Sequence, residues 1–171
     1  MQNPYLPIPV VVSKIITEVE TKDIKTFRLE FLNKEDEAGF KYLPGQFAEL
    51  SLYGKGESPI GIASSPTQPG YIEFTVQKAG VVTSTLHEIE EGTHMGVRGP
   101  LGNSWPIEYL EGKNIVVVGG GFAPLAVHLA ERLEVGQVAM AGDRHLRAGD
   151  LARADIVALD VVGDALQARG R

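Results

Sequence analysis

Residues 113–124 read Lys-Asn-Ile-Val-Val-Val-Gly-Gly-Gly-Phe-Ala-Pro and hold the spacing most capable of chemistry. Ile115–Val118 is a continuous apolar, mostly β-branched run, as a strand covered on both faces requires. Gly119, Gly120 and Gly121 follow directly. Without side chains they let a phosphate-bearing ligand approach the backbone. Phe122 and Ala123 lead to Pro124, which suits a first helical turn because its missing N–H has no partner to lose there. The spacing is not the G-x-G-x-x-G fingerprint of dinucleotide sites. No Ser/His/Asp set or carboxylate pair stands out for acid–base work. His87, His94, His128 and His145 show no metal-ligand spacing and read as solvated or packed histidines. No catalytic side chain and no metal site is expected.

A second anion-binding feature lies upstream. Thr83 or Ser84 can cap a short helix in which Leu86 and Ile89 face inward and Gly92 ends the run. The start of that helix, at Val82, Thr83 and Ser84, offers backbone N–H groups to an anion.

Composition narrows the class. The chain has 171 residues, 43% apolar and 22% charged, which marks an ordinary globular protein rather than a disordered one. That length allows one domain with a substantial core or two small ones. The net charge of −6, with no basic run to offset it, argues against nucleic acid as a partner. With no cysteine, disulfides and cysteine-ligated zinc or iron–sulfur clusters are excluded within this sequence. Met1 to Val12 lacks a charged start and an apolar core, and no stretch reaches the length of a membrane span, so a cytoplasmic protein with no membrane partner is expected.

The elements that must position these features fall into two parts. Residues 10–112 read as mostly β. Val10 to Val19 is β-rich. Phe27, Leu29 and Phe31 alternate with Arg28 and Glu30, and Ile72, Phe74 and Val76 alternate with Glu73, Thr75 and Gln77. Leu43-Pro-Gly-Gln46 is a turn signal before extended residues 47–52, and Met95 and Val97 start another short strand. Glycine and proline clusters at 54–56, 66–70 and 99–102 punctuate the runs, as in an antiparallel barrel or sandwich. The helix at 83–92 is the one interruption. From Lys113 the pattern turns α/β, with strands at Ile115–Val118, Val138–Ala141 and 156–162 and a helix at 124–133.

Composition changes at the same place. Eight Lys, two Arg and four Ala precede or include Lys113, whereas no Lys, six Arg and eleven Ala follow it. This shift reads either as a tail of different origin from the β part or as an Ala/Arg-rich helical region. Arg98 reads as a strand-edge surface residue, and Trp105 and Pro106 as cover for a barrel edge or domain boundary.

The ordered set Asn3-Pro-Tyr-Leu6, Ile24-Lys-Thr-Phe27, Leu43-Pro-Gly-Gln-Phe47, Ser58-Pro-Ile-Gly-Ile-Ala-Ser-Ser65, Gly80-Val-Val-Thr-Ser-Thr-Leu86 and Arg98-Gly-Pro-Leu-Gly-Asn103 precedes the glycine loop. Together these stretches resemble the ferredoxin–NADP reductase superfamily. Within it they are most similar to the FAD- and NAD(P)-binding gamma subunits of cytoplasmic hydrogenases and sulfhydrogenases. The electron-transfer subunits of dihydroorotate dehydrogenase and sulfite reductase come next.

The resemblance implies a six-stranded antiparallel Greek-key flavin-binding β-barrel over residues 1–112. A shortened, Rossmann-like α/β region over residues 113–171 would be a partial NAD(P)-binding domain. It implies a flavin-dependent oxidoreductase subunit that passes electrons through FAD between NAD(P)H, as substrate, and an iron–sulfur electron-transfer protein or hydrogenase or oxidoreductase subunits. The alternative is a non-catalytic flavin-binding or docking module whose nucleotide half does not work.

By the same resemblance, Ser58, Pro59, Ile60 and Gly61 lie against the flavin and its ribityl–phosphate chain. Thr75, Val76 and Gln77 also touch it, and Val82, Thr83 and Ser84 bind the pyrophosphate. Gly119, Gly120, Gly121, Phe122 and Pro124 bind the nicotinamide nucleotide. Three positions depart from the superfamily, which mostly has Arg, an aromatic residue and Ser or Thr where Ser58, Ile60 and Gly61 stand. The missing Arg removes a charge pairing with phosphate. The loop between Gly121 and Pro124 is also shorter than the family's.

Overall fold

The structure is a computed structural model and describes residues 3, 5–110, 115–118 and 138–141. The chain divides into two compact units, Met1–Gly102 and Asn103–Arg171. The boundary expected at 112/113 falls inside the second of these.

The first unit holds six strands: β1 (Ile8–Thr17), β2 (Ile24–Phe31), β3 (Phe47–Leu52), β4 (Gly56–Gly61), β5 (Ile72–Gln77) and β6 (His94–Leu101). They form one antiparallel sheet in the order β4-β3-β6-β1-β2-β5. Strands distant in sequence are neighbours, as in a Greek key. The two outer strands are brought together at one point, an isolated bridge between Ile62 and Phe74. There the Ala63 N–H donates to the Glu73 carbonyl at 2.8 Å, and the Ile62 N–H to the Gln46 carbonyl at 3.1 Å. The sheet thereby curls into a barrel that is tied between its outer strands at this one point.

Alternation explains which side chains fill it. Val10 and Val12 on β1, Phe27 and Leu29 on β2, Ala48 and Leu50 on β3, Phe74 and Val76 on β5, and Met95 and Val97 on β6 are all essentially inaccessible to water. Their period of two puts each pair on one face. Burying each large side chain contributes about 1.5–3 kcal/mol. A backbone irregularity between Val12 and Lys14 lets β1 bend while it pairs with both β2 and β6. At Gly96 a Cβ would lie 2.5 Å from the Pro7 side chain, so only glycine allows the N-terminal segment to cross there.

Two helices belong to this unit, α1 (Lys34–Gly39) and α2 (Val81–Leu86). The sequence pattern predicts a single helical interruption, and α1 is a second. Its signal was present: the Asn33 side chain accepts from the Asp36 N–H at 2.8 Å, a standard N-cap. In the second unit, α3 (Ile107–Leu110) precedes a parallel pair, β7 (Ile115–Val118) and β8 (Val138–Ala141). That pairing matches the two strands expected there. The helix and strand expected at 124–133 and 156–162 lie outside the described residues.

Among the described residues no helix is long and apolar enough to cross a membrane.

Candidate functional site

β4 lacks hydrophobic alternation, so its sequence alone does not predict a strand. It is nevertheless an outer strand of the sheet, paired only with β3. Pro59 suits that place, since a proline has no N–H to give a second neighbour. Register divides the quartet. Ser58 and Ile60 pair with Leu50 and Ala48, both wholly buried, and so share the barrel-facing side. Pro59 and Gly61, opposite Glu49 and Phe47, turn the other way. Ile60 packs on the core, whereas Ser58 is half-buried.

β4 and β5 are not hydrogen-bonded to each other apart from the Ile62–Phe74 bridge. A seam therefore runs between them, tied at that bridge. On β5 the expected trio also divides. Val76 is buried in the core, while Thr75 and Gln77 lie on the outer face. The Thr75 hydroxyl meets that of Thr26 at 2.8 Å, and Gln77 is exposed. The Val76 side chain is thus unavailable to a ligand outside the barrel.

At its far end the seam is spanned by α2, which follows β5 and leans on β4. The Val82 Cγ2 atom lies 3.8 Å from the point where a Cβ on Gly56 would sit. The expected cap is corrected here. Gly80, with extended backbone, is the N-cap, and neither Thr83 nor Ser84 fills that position. Thr83 sits in the first turn with its hydroxyl turned back, accepting from the Ala79 N–H at 3.0 Å and the Gly80 N–H at 2.8 Å. The Thr83 oxygen therefore serves the loop rather than an outside ligand. Ser84 makes the first helical bond, its N–H to the Gly80 carbonyl at 2.8 Å. The N–H groups before it have no partner within the helix. The helix ends at Leu86, with His87 as C-cap, six residues short of the expected stop at Gly92. Leu86 and Ile89 do face the core, as expected.

Two functional candidates escaped the sequence reading. Lys78 stands two residues before the Gly80 cap, and its ammonium has no partner among the described residues. His87, read only as one of four packed or solvated histidines, is buried against Phe27 with ring centroids 5.9 Å apart. Its Nε2 lies 3.0 Å from the Val76 carbonyl. A lysine near a helix start and a histidine just after one were visible, but nothing local told what they face.

Arg98 is also corrected. It lies on β6, inside the sheet between β3 and β1, and pairs with Glu57 at 2.8 Å. The Arg98 hydrogen bond, helped by the Ser51 hydroxyl, holds the Glu57 carboxyl below its ordinary range, and Glu57 in turn raises Arg98. Trp105 is buried and Pro106 exposed. Among the described residues no group of three or more acidic or histidine side chains could hold a metal. Gly119, Gly120, Gly121, Phe122 and Pro124 lie outside the described residues.

The seam thus combines a hydroxyl and an apolar side chain along β4 with free N–H groups and a cation at the α2 end. The first turn of α2 carries no acidic side chain to repel an anion. Such a set fits a long ligand with a phosphate portion, held by position and electrostatics rather than by acid–base chemistry. The described fold is thus a Greek-key barrel followed in sequence by a parallel pair of strands. A family model described as the oxidoreductase FAD-binding domain matches residues 11–105, and the chain belongs to that family.

The sulfhydrogenase 1 gamma subunit of Pyrococcus furiosus is 39% identical over 125 residues, which cover 72% of this chain and 42% of that subunit. A probable electron-transfer subunit of dihydroorotate dehydrogenase B from Methanocella arvoryzae is 34% identical over 159 residues, 85% of this chain and 55% of that one. The chain spans about half the length of these curated relatives. Among solved structures, an NADH-dependent reduced ferredoxin–NADP oxidoreductase superposes with a TM-score of 0.61 at 24% identity. The match covers 96% of this chain and 66% of that one, and it is a likeness of fold.

Proposed function

We propose that the barrel holds FAD along the β4–β5 seam. The chain then serves as the flavin-carrying part of an oxidoreductase that exchanges electrons between NAD(P)H and an iron–sulfur protein or hydrogenase-type subunit. The observation that carries this reading is the convergence on one seam of three elements, the second and third adjoining in sequence and the first a loop away. They are β4 with Ser58 and Ile60, the end of β5, and the start of α2 with Gly80 and Val82. Family membership and the relatives' printed roles support it.

Each segment takes a part in this proposal. Ser58 and Ile60 border the flavin and its ribityl chain, with Pro59 and Gly61 shaping the strand around them. Thr75 and Gln77 line the opposite side, and Val76 contributes backbone only. The amides at Val82 and Thr83, with Ser84 beside them and aided by Lys78, hold the pyrophosphate, while the Ser84 N–H itself stays bonded to the Gly80 carbonyl. Gly119, Gly120, Gly121, Phe122 and Pro124 receive the nicotinamide nucleotide. Bound FAD would supply two-electron exchange with the nicotinamide and one-electron exchange with the cluster, leaving position and electrostatics to the protein. Residues 1–112 form the FAD-binding part and 113–171 the NAD(P)-binding part, and the setting is cytoplasmic.

The test is anaerobic. The purified chain is reconstituted with FAD, freed of excess, and mixed with NADH and then NADPH while flavin absorbance is recorded. Retained flavin that bleaches is the expected result. Retained flavin that stays oxidised would leave a flavin-binding module with no working nicotinamide site. A colourless protein after removal of excess FAD would overturn the proposal.

A further inference from the structure

The geometry points to His87 as a positioning residue that sets the start of α2 against β5 and so fixes the phosphate end of the seam. This inference rests on the flavin reading above and extends it to a residue outside the family motifs quoted. His87 is the C-cap of α2, and its own N–H closes the helix onto the Thr83 carbonyl at 3.1 Å. Its ring turns the other way, into the barrel wall. A carbonyl can only accept, so Nε2 carries the proton and donates to the Val76 oxygen. The Lys25 ammonium donates to the His87 carbonyl at 2.9 Å, and Lys25 is itself the register partner of Val76. Helix α2, strand β5 and strand β2 are therefore tied at one residue, the tie to β5 through its ring and those to α2 and β2 through its backbone.

That tie acts on the residues expected to touch the cofactor. Val76 lies between Thr75 and Gln77, and the helix closed by His87 begins at Gly80 and presents Val82 to Gly56. A shift at the C-cap of a one-and-a-half-turn helix moves its first turn almost rigidly. The arrangement also carries a cost. Nδ1 of His87 is buried with no hydrogen-bond partner, so an apolar side chain would satisfy burial better. What an apolar side chain lacks is the directed bond to Val76.

Three variants separate position from packing. His87→Phe keeps a ring against Phe27 and removes the donor, His87→Leu removes the donor and keeps only apolar packing, and His87→Gln returns an N–H donor at similar reach. The readouts are FAD affinity by fluorescence quenching, hydrogen exchange of the Val81, Val82, Thr83 and Ser84 amides, and the melting temperature. The Phe or Leu variant should bind FAD about tenfold more weakly, as expected for one lost hydrogen bond that fixes geometry. Its α2 amides should exchange faster while core amides stay protected, and Gln should restore both. Unchanged FAD affinity in the folded Phe or Leu variant overturns the inference. So does an equal loss in all three that tracks melting temperature. If the unaltered chain binds no FAD, the flavin reading falls, and unchanged α2 exchange in the variants would overturn the positioning role separately.

Discussion

Arg98 on β6 and Glu57 on β4 are joined at 2.8 Å across the intervening strand β3, whose Ser51 hydroxyl also donates to the same carboxylate. The three groups clasp three adjacent strands on the outer face of the barrel. The Glu57 pKa is lowered from 4.5, first by the Arg98 hydrogen bond and then by Ser51. A folded-state value below the unfolded one makes the contribution complete above pH 4.5, and it is lost as pH falls through the lowered value. Both side chains keep solvent contact, 23% for Arg98 and 34% for Glu57, so screening keeps the gain small. Glu57→Gln should lower stability by about 0.5 kcal/mol at neutral pH. Melting curves should show that difference shrinking in molar salt and vanishing in acid.

Restoring charge to the seam should strengthen cofactor binding. Ser58 is half-buried on the barrel-facing side of an outer strand, where the superfamily mostly has Arg. Ser58→Arg is expected to tighten FAD binding about tenfold through a charge-assisted bond to phosphate, and to do less for riboflavin, which has none. Fluorescence titration with both flavins checks it. Equal tightening of both would show that the gain does not come from phosphate.

The loop from β4 to β5 hangs on Tyr42. Its hydroxyl lies 2.8 Å from the Ser64 hydroxyl, which accepts from the Glu73 N–H at 3.0 Å. Burial is the main cause that pushes the Tyr42 phenol above its usual 10.0. A raised folded-state value means this contribution is complete below pH 10 and is lost as pH rises through the raised value. Tyr42→Phe should cost about 1 kcal/mol at neutral pH. The variant should also lack part of the alkaline loss of stability shown by the unaltered chain in denaturant titrations.

Thr83 supplies the side-chain oxygen that satisfies the Ala79 and Gly80 amides before α2. Thr83→Val keeps the shape and removes that oxygen, so it should cost about 1–2 kcal/mol. Thr83→Ser keeps the oxygen and should stay within about 0.5 kcal/mol of the original. Chemical denaturation of the pair distinguishes capping from packing, because both substitutions retain a small β-substituent.

Phe27 anchors the core and also the edge of His87. Phe27→Ala should cost about 3–5 kcal/mol through lost burial and the cavity left behind. It should also loosen α2 in hydrogen exchange, whereas Leu50→Ala, in β3, should destabilise without that local signature.

Much of the barrel was legible in the sequence. The alternation of Phe27 with Leu29, and of Ile72, Phe74 and Val76, announced strands and named their buried faces, because side chains leave a strand on alternate sides. Phe31, in the same run, ended only half-buried, since it sits where β2 leaves the barrel beside α1. β4 gave no such pattern: Gly-Glu-Ser-Pro-Ile-Gly has too few apolar positions, and only pairing with β3 makes it a strand. The motif at 80–86 marked a helix start correctly in place but not in detail. A threonine at the third helical position competes for the capping role, and local spacing alone does not decide which residue wins.

By itself, then, the sequence determined local quantities: period, turn chemistry, buried faces, the change of pattern near Lys113 and the ordered motifs of a flavin-binding family. These depend on neighbours along the chain, whose distances covalent geometry sets. Only the tertiary structure decided that β4 and β5 meet at Ile62 and Phe74, that Arg98 reaches Glu57, and that His87 turns to Val76. Those contacts join residues between 11 and 41 positions apart. They exist because a Greek-key order closes the sheet on itself, and that order is chosen by the packing of the whole core rather than by any one segment.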